Sequence, residues 1–201
     1  MKIASIELRE IRLPLVHFFE TSFGRTTERV IVLACVRDED GAEGWGECTA
    51  GEGPFYSEEW YEGAWQVLKT YLVPMTLGRI VGSPAEIFDL MKPVRGNRMA
   101  KAAIETACWD LAARGSGQPL WKMLGGTRAE IECGVSIGIQ DSPEILLEKI
   151  GREVAAGYRR IKIKIKPGWD QSIVARVRAS FPDIRLMVDA NSAYTVDDAP
   201  L

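Results

Sequence analysis

The chain has 201 residues, 46% of them hydrophobic, with 25 Lys+Arg against 28 Asp+Glu and a formal charge of -3. That length fits one large domain or two small ones, and the charge offers no electrostatic case for nucleic acid or for a polybasic membrane patch. Cys35, Cys48, Cys108 and Cys133 include no CxxC pair and His17 is the single histidine, which argues against a Cys/His zinc site and, with no secretory h-region or bilayer-length apolar run, predicts a cytoplasmic protein.

Residues 3–13 place apolar side chains two or three apart, a strand that Pro14 is expected to end. Residues 16–27, rich in Phe, Thr, Ser and Gly without a clear period, read as a loop. Residues 29–37 are β-branched and apolar and predict a buried strand. Asp40-Gly41 is a hairpin signal, and Gly44 to Cys48 form the return strand of a small antiparallel meander. Residues 49–56 are a second Gly/Pro-rich loop. Ser57-Glu58-Glu59 reads as an N-cap and acidic first turn of a helix ending near Pro74, and Ser83-Pro84 as the start of another. The clearest helix spans about 99–114, where Ile104, Ala107, Cys108 and Leu111 repeat at i, i+3, i+4 and i+7 and Gly115 follows as a stop. Gly125-Gly126-Thr127 marks a boundary between a domain of residues 1–126 and one of residues 127–201.

Beyond that boundary the pattern changes. Residues 131–139 read as a strand, and Ser142-Pro143 opens a helix to about Ala156 that Gly157 ends. A strand at 160–166, a helix at 170–179 and a strand at 186–191 follow, and Thr195 with Asp198 starts a further helix in the manner of a capping box. Strand and helix alternate with short connections, which predicts a parallel sheet with right-handed crossovers.

Residues 161–166 alternate Ile and Lys, so Lys162, Lys164 and Lys166 share one face. Alone, this is also what a half-exposed strand with lysines in water looks like. Between two crossover helices, however, a parallel strand is normally covered on both faces. Ammonium groups pointing inward there are costly unless they serve a site, and a desolvated lysine beside other cations suits a base. Asp189 and Asn191 share a face at the C-terminal end of the next strand. Asp and Asn are common turn residues, yet that end of a parallel barrel is also where active sites sit, and a carboxylate there suits Mg²⁺.

In order, the K-x-K of 162–164, the PGWD of 167–170 and the VDAN of 188–191 resemble the muconate-lactonizing subgroup of the enolase superfamily. The strings FFETSFGRT (18–26), GWGECTAGEGPFYSEE (44–59) and AKAAIETACWDLAARGSGQPLWKMLGG (100–126) resemble its o-succinylbenzoate synthase/N-acylamino acid racemase branch. The resemblance covers essentially the whole chain. It implies an α+β capping domain followed by the first part of a (β/α) TIM-type barrel, truncated after about three strands. It implies proton abstraction alpha to a carboxylate, assisted by Mg²⁺ or another divalent cation. The product it implies is o-succinylbenzoate, by a dehydration in menaquinone biosynthesis, or a racemised N-acylamino acid. A dipeptide epimerase, a muconate cycloisomerase and a non-catalytic fragment are the alternatives.

Carried over by motif, Lys164 is the acid/base lysine. Lys162 is its partner, holding the substrate carboxylate and keeping Lys164 less basic. Asp189 is a metal ligand, and Asn191 and Ser136 lie at the substrate. Phe23 and Tyr56 sit on two capping-domain loops that select the substrate, and Lys166 is assigned no role. The resemblance further implies a small carboxylate substrate and a homo-oligomer. The remaining acidic metal ligands and a second lysine belong to later strands, so the 201 residues alone are expected to be inactive.

Overall fold

β-Forming residues carry the first strand well beyond Pro14: β1 runs Ser5–Thr21 and β2 Gly24–Arg37. The loop expected at 16–27 is therefore the far end of a long hairpin, turning on Ser22 and Phe23. Pro14 does not stop β1 because β1 is an edge strand, in the sheet order β1-β2-β3, where a missing N–H need cost no ladder bond. A two-residue connection leaves only antiparallel pairing, and the Ala4 amide donates to the Arg37 carbonyl at 2.8 Å, start of one strand against end of the other. β3, Glu43–Cys48, pairs antiparallel with β2 from Arg37↔Glu43 to Val32↔Cys48. Gly41, at φ +80°, makes the turn between them, and Asp38 Oδ1 accepts from the Asp40 and Ala42 amides.

The structure is a computed structural model that describes residues 1–198. These divide into two units: residues 1–14 with 28–127, and residues 15–27 with those from 128 onward. In the first unit, helix α1 (Tyr61–Val67) passes through a wide π-turn (Leu68–Leu72) into α2 (Val73–Thr76). Helix takes in Pro74 and ends at Thr76, near where the sequence predicts its end. The i→i+5 bonding just ahead of the proline relieves the clash its ring would make with a carbonyl one turn back. Ser57 caps nothing; its hydroxyl donates to the Glu59 carbonyl at 3.3 Å. α3 is Glu86–Met91, two residues later than Ser83-Pro84 predicted, because residues 83–86 first form a tight turn closed by the Glu86 amide on the Ser83 carbonyl.

α4 spans Arg98–Ser116 and runs through Gly115 to stop at Gly117, which takes φ +64°. Its start is capped from a distance: the buried Glu59 carboxylate accepts from the Met99 and Ala100 amides. Ile104, Ala107, Cys108 and Leu111 are buried as their spacing requires. α4 lies directly on β3, so a Cβ on Gly46 would meet the Ala103 carbonyl oxygen at 2.0 Å. A short helix α5, Leu120–Met123, completes the unit.

In the second unit, β4 (Gly134–Ile137), α6 (Pro143–Ala155), β5 (Arg160–Lys164), α7 (Gln171–Ser180) and β6 (Arg185–Asp189) follow in order. The strands form a parallel sheet, β4-β5-β6. Ser142 caps α6 by accepting from the Ile145 amide, and Asp170 caps α7 through Gln171. Ile161 and Ile163 on β5 are fully buried with Leu146 and Ile150 of α6 and Ile173 and Val177 of α7. A single 3₁₀ turn, Val196–Asp198, forms where a helix was predicted to start. The rest of the expected helix falls on residues outside the described ones. Among the described residues no helix is long and apolar enough to cross a membrane.

Candidate active site

The two-residue period of β5 decides where its charges go. With Ile161 and Ile163 packed under the helices, Lys162 and Lys164 must face the other side of the sheet. Parallel register sets Ser136 beside Lys162 and Lys164 beside Asp189, so these four share that face. The lysines and the aspartate are in contact. Lys164 Nζ donates to Asp189 Oδ2 at 2.8 Å and to Asn191 Oδ1 at 2.7 Å, and Lys162 Nζ reaches the same Asp189 oxygen at 3.1 Å.

Lys164 is buried, at 7% exposure, whereas Lys162 is half-buried. Asp189 Oδ1 accepts from the Asn191 amide at 3.0 Å. Asn191 and Ser192 both take left-handed backbone, φ +48° and +61°, which turns the chain sharply after β6 and returns the Asn191 side chain to Lys164. Hydrogen bonding from Lys164, then from the Asn191 amide and Lys162, outweighs burial and holds the Asp189 carboxyl at about 2, below its ordinary 3.8. The site is thus an ionised carboxylate flanked by two ammonium groups.

Phe23 lies at the hairpin turn and is 54% exposed; Tyr56 lies in the first unit and is 75% exposed. The hairpin end carries contacts that the sequence did not reveal. Ser22 Oγ donates to the Ala190 carbonyl at 2.7 Å, immediately between Asp189 and Asn191. Glu20 pairs with Lys166 at 3.0 Å and with Arg25 at 2.7 Å. A lone carboxylate within FFETSFGRT was the available signal, but nothing local names a partner 146 residues away.

Asp189 is a hard-oxygen ligand of the kind Mg²⁺ takes, and that ion is usually held by one or two carboxylates with water and substrate oxygens. Among the described residues no group of three or more His, Cys, Asp or Glu could hold a metal. Asp189 therefore fits one position in such a coordination shell, and the described residues do not complete it.

The family model for the mandelate racemase/muconate lactonizing enzyme N-terminal domain matches residues 5–125, and the enolase C-terminal domain-like model matches residues 146–200. An o-succinylbenzoate synthase of Geobacillus kaustophilus is 49% identical over 99% of this chain and 53% of its own. An N-succinylamino acid racemase of Thermus thermophilus is 47% identical over 98% of this chain and 53% of its own. The chain therefore spans about half the length of the curated relatives it matches. Among solved structures, an enolase-superfamily member from Listeria innocua has a TM-score of 0.89 at 40% identity, covering 98% of this chain and 53% of that one. A dipeptide epimerase from Enterococcus faecalis, complexed with Mg and L-Leu-L-Tyr, has a TM-score of 0.86 at 28% identity, covering 99% and 56%.

Proposed function

The chain belongs to the mandelate racemase/muconate lactonizing enzyme family of the enolase superfamily, and from that premise we propose that its protein is an o-succinylbenzoate synthase, an N-acylamino acid racemase, or both. The carrying observation is the Lys162–Asp189–Lys164 cluster on one face of adjacent parallel strands, with Lys164 Nζ 2.8 Å from Asp189. The three strands are the opening strands of a (β/α) TIM-type barrel, whose active site lies at the C-terminal strand ends. Asp189 and Asn191 are at that end of β6.

In this reading Lys164, as the free amine, removes the proton alpha to a substrate carboxylate and becomes the ammonium that pairs with Asp189. Its burial keeps bulk water from the amine, and Asp189 and Asn191 fix where the nitrogen sits. Lys162, on the same face and more open, attracts the substrate carboxylate. Ser136 and Asn191 contact the substrate, and Phe23 and Tyr56 select among substrates. Asp189 would hold in part Mg²⁺ or another divalent cation, whose positive charge would make an otherwise barely acidic α-proton removable. A synthase then expels water; a racemase returns the proton to the opposite face. Burial of Cys35, Cys48 and Cys108 as free thiols supports a cytoplasmic location.

The test uses the intact protein with Mg²⁺ in D₂O. Loss of the α-proton NMR signal of an N-succinylamino acid, or formation of o-succinylbenzoate by dehydration, is expected, and chelation should stop either. Absence of both reactions overturns the reading.

A further inference from the structure

The end of the β1–β2 hairpin is fastened to the C-terminal end of each parallel strand. Beyond β4, the Ile139 amide donates to the Glu20 carbonyl at 2.9 Å. A Cβ on the adjacent Gly138 would lie 2.9 Å from the Glu20 backbone nitrogen and oxygen, so only glycine lets the hairpin pass this close. Beyond β5, Lys166 pairs with Glu20 at 3.0 Å. Beyond β6, Ser22 Oγ donates to the Ala190 carbonyl at 2.7 Å.

Glu20 is common to the first two attachments. Its side chain is only 13% exposed, and its second carboxylate oxygen holds Arg25 at 2.7 Å. Arg25 in turn bonds Asp141 and stacks over the Phe18 ring at 3.8 Å. Hydrogen bonding from Arg25, and to a lesser extent from Lys166, keeps the Glu20 carboxyl below its ordinary range against the opposing pull of burial. Lys166 is the one lysine of the alternating β5 run that does not reach Asp189; its charge goes to the hairpin.

We infer that Glu20 is a positioning residue: clamped between Lys166 and Arg25, it holds the Ser22–Phe23 turn against the three strand ends, where the turn borders the substrate site. Glu20 touches no reacting atom and acts through the turn it holds. The consequence for substrate rests on the active site proposed above; the clamp itself does not.

The experiment compares Glu20→Gln, Lys166→Met and Lys166→Arg in the intact protein. Amide hydrogen exchange is followed in residues 18–26, with residues 98–116 as the control for global unfolding. A charge-assisted bond with one partly exposed partner predicts about tenfold faster exchange at 18–26 in Glu20→Gln and Lys166→Met. The control segment should not change, and Lys166→Arg should restore wild-type exchange. With an N-succinylamino acid as substrate, KM should rise by about the same tenfold while kcat stays within about threefold.

Unchanged exchange at 18–26 in both neutralising variants overturns the clamp. Faster exchange with unchanged KM, or a kcat loss at constant KM, overturns the positioning role. If Glu20→Gln does not fold, Lys166→Met decides alone, since its side chain is 41% exposed and its removal leaves no buried gap. A wild-type protein with no turnover defeats the proposed function, while the exchange comparison still decides the clamp.

Discussion

Replacing Lys164 by Met separates the chemistry of the site from its contribution to the fold. The Met side chain fills nearly the same space and removes the ammonium. If Lys164 performs the proton transfer, turnover should fall by about 10²- to 10⁴-fold, equivalent to about 2.7–5.4 kcal/mol of barrier. The stability cost should be much smaller. The fall of the Asp189 carboxyl from 3.8 to about 2 is worth at most about 2.5 kcal/mol, with Lys164 its largest cause and the Asn191 amide and Lys162 sharing the rest. Asp189 is 28% exposed and water screens it, which brings the Lys164 share down to about 1 kcal/mol. Release of a buried ammonium offsets part of that.

The sign with pH follows from a depressed carboxyl. Asp189 stabilises above its ordinary 3.8 and the contribution is lost as pH falls through about 2. The gap between wild type and variant should therefore be open at neutral pH and close across that acid window. The assays are α-proton exchange in D₂O and urea unfolding, the latter with chelator so that Asp189 sees only its protein partners. Activity within about tenfold of wild type would remove Lys164 as the base. A loss above about 3 kcal/mol would instead make the lysine a structural pin of the sheet.

Glu59→Ala should cost about 2 kcal/mol in urea unfolding, since it strips the start of α4 of a buried charged cap, and Glu59→Gln about half of that; a cost below about 0.5 kcal/mol for the alanine variant would show that water replaces the carboxylate. Gly46→Ala should lower stability by about 1–3 kcal/mol or more, because a methyl 2.0 Å from the Ala103 oxygen forces α4 off β3; an unchanged Tm contradicts that packing. Asp170→Ala removes both the cap of α7 and the acceptor of the Tyr194 hydroxyl, each at 2.7 Å, for about 1–2 kcal/mol. Burial and Asp170 hold the Tyr194 phenol at about 12, and its stabilising effect is present below 10 and lost as pH rises through about 12; in the variant an ultraviolet titration should show that phenol ionising earlier, and an unmoved titration refutes the link.

The parts of this protein legible from sequence are those whose cause lies within a turn or two of chain. Asp40-Gly41 closes its hairpin with its neighbour Asp38, Ser142 caps its own helix three residues on, and the apolar stripe from Ile104 to Leu111 buries one side of α4. The Ile/Lys alternation of β5 belongs to the same class. A period of two compels the lysines to share a face, and the resemblance of K-x-K and VDAN named the residues that the structure then brings into contact. Tertiary structure decided the rest, because those outcomes depend on which element arrives beside which. Pro14 lies within a strand since no strand among the described residues pairs on the outer side of β1, and Glu59, 40 residues from its partner, serves a helix other than the one it precedes. Glu20 and Lys166 carry no mutual signal across 146 residues; their charges acquire a purpose only when the hairpin end is packed against the strand ends, where a partly desolvated carboxylate must find a cation.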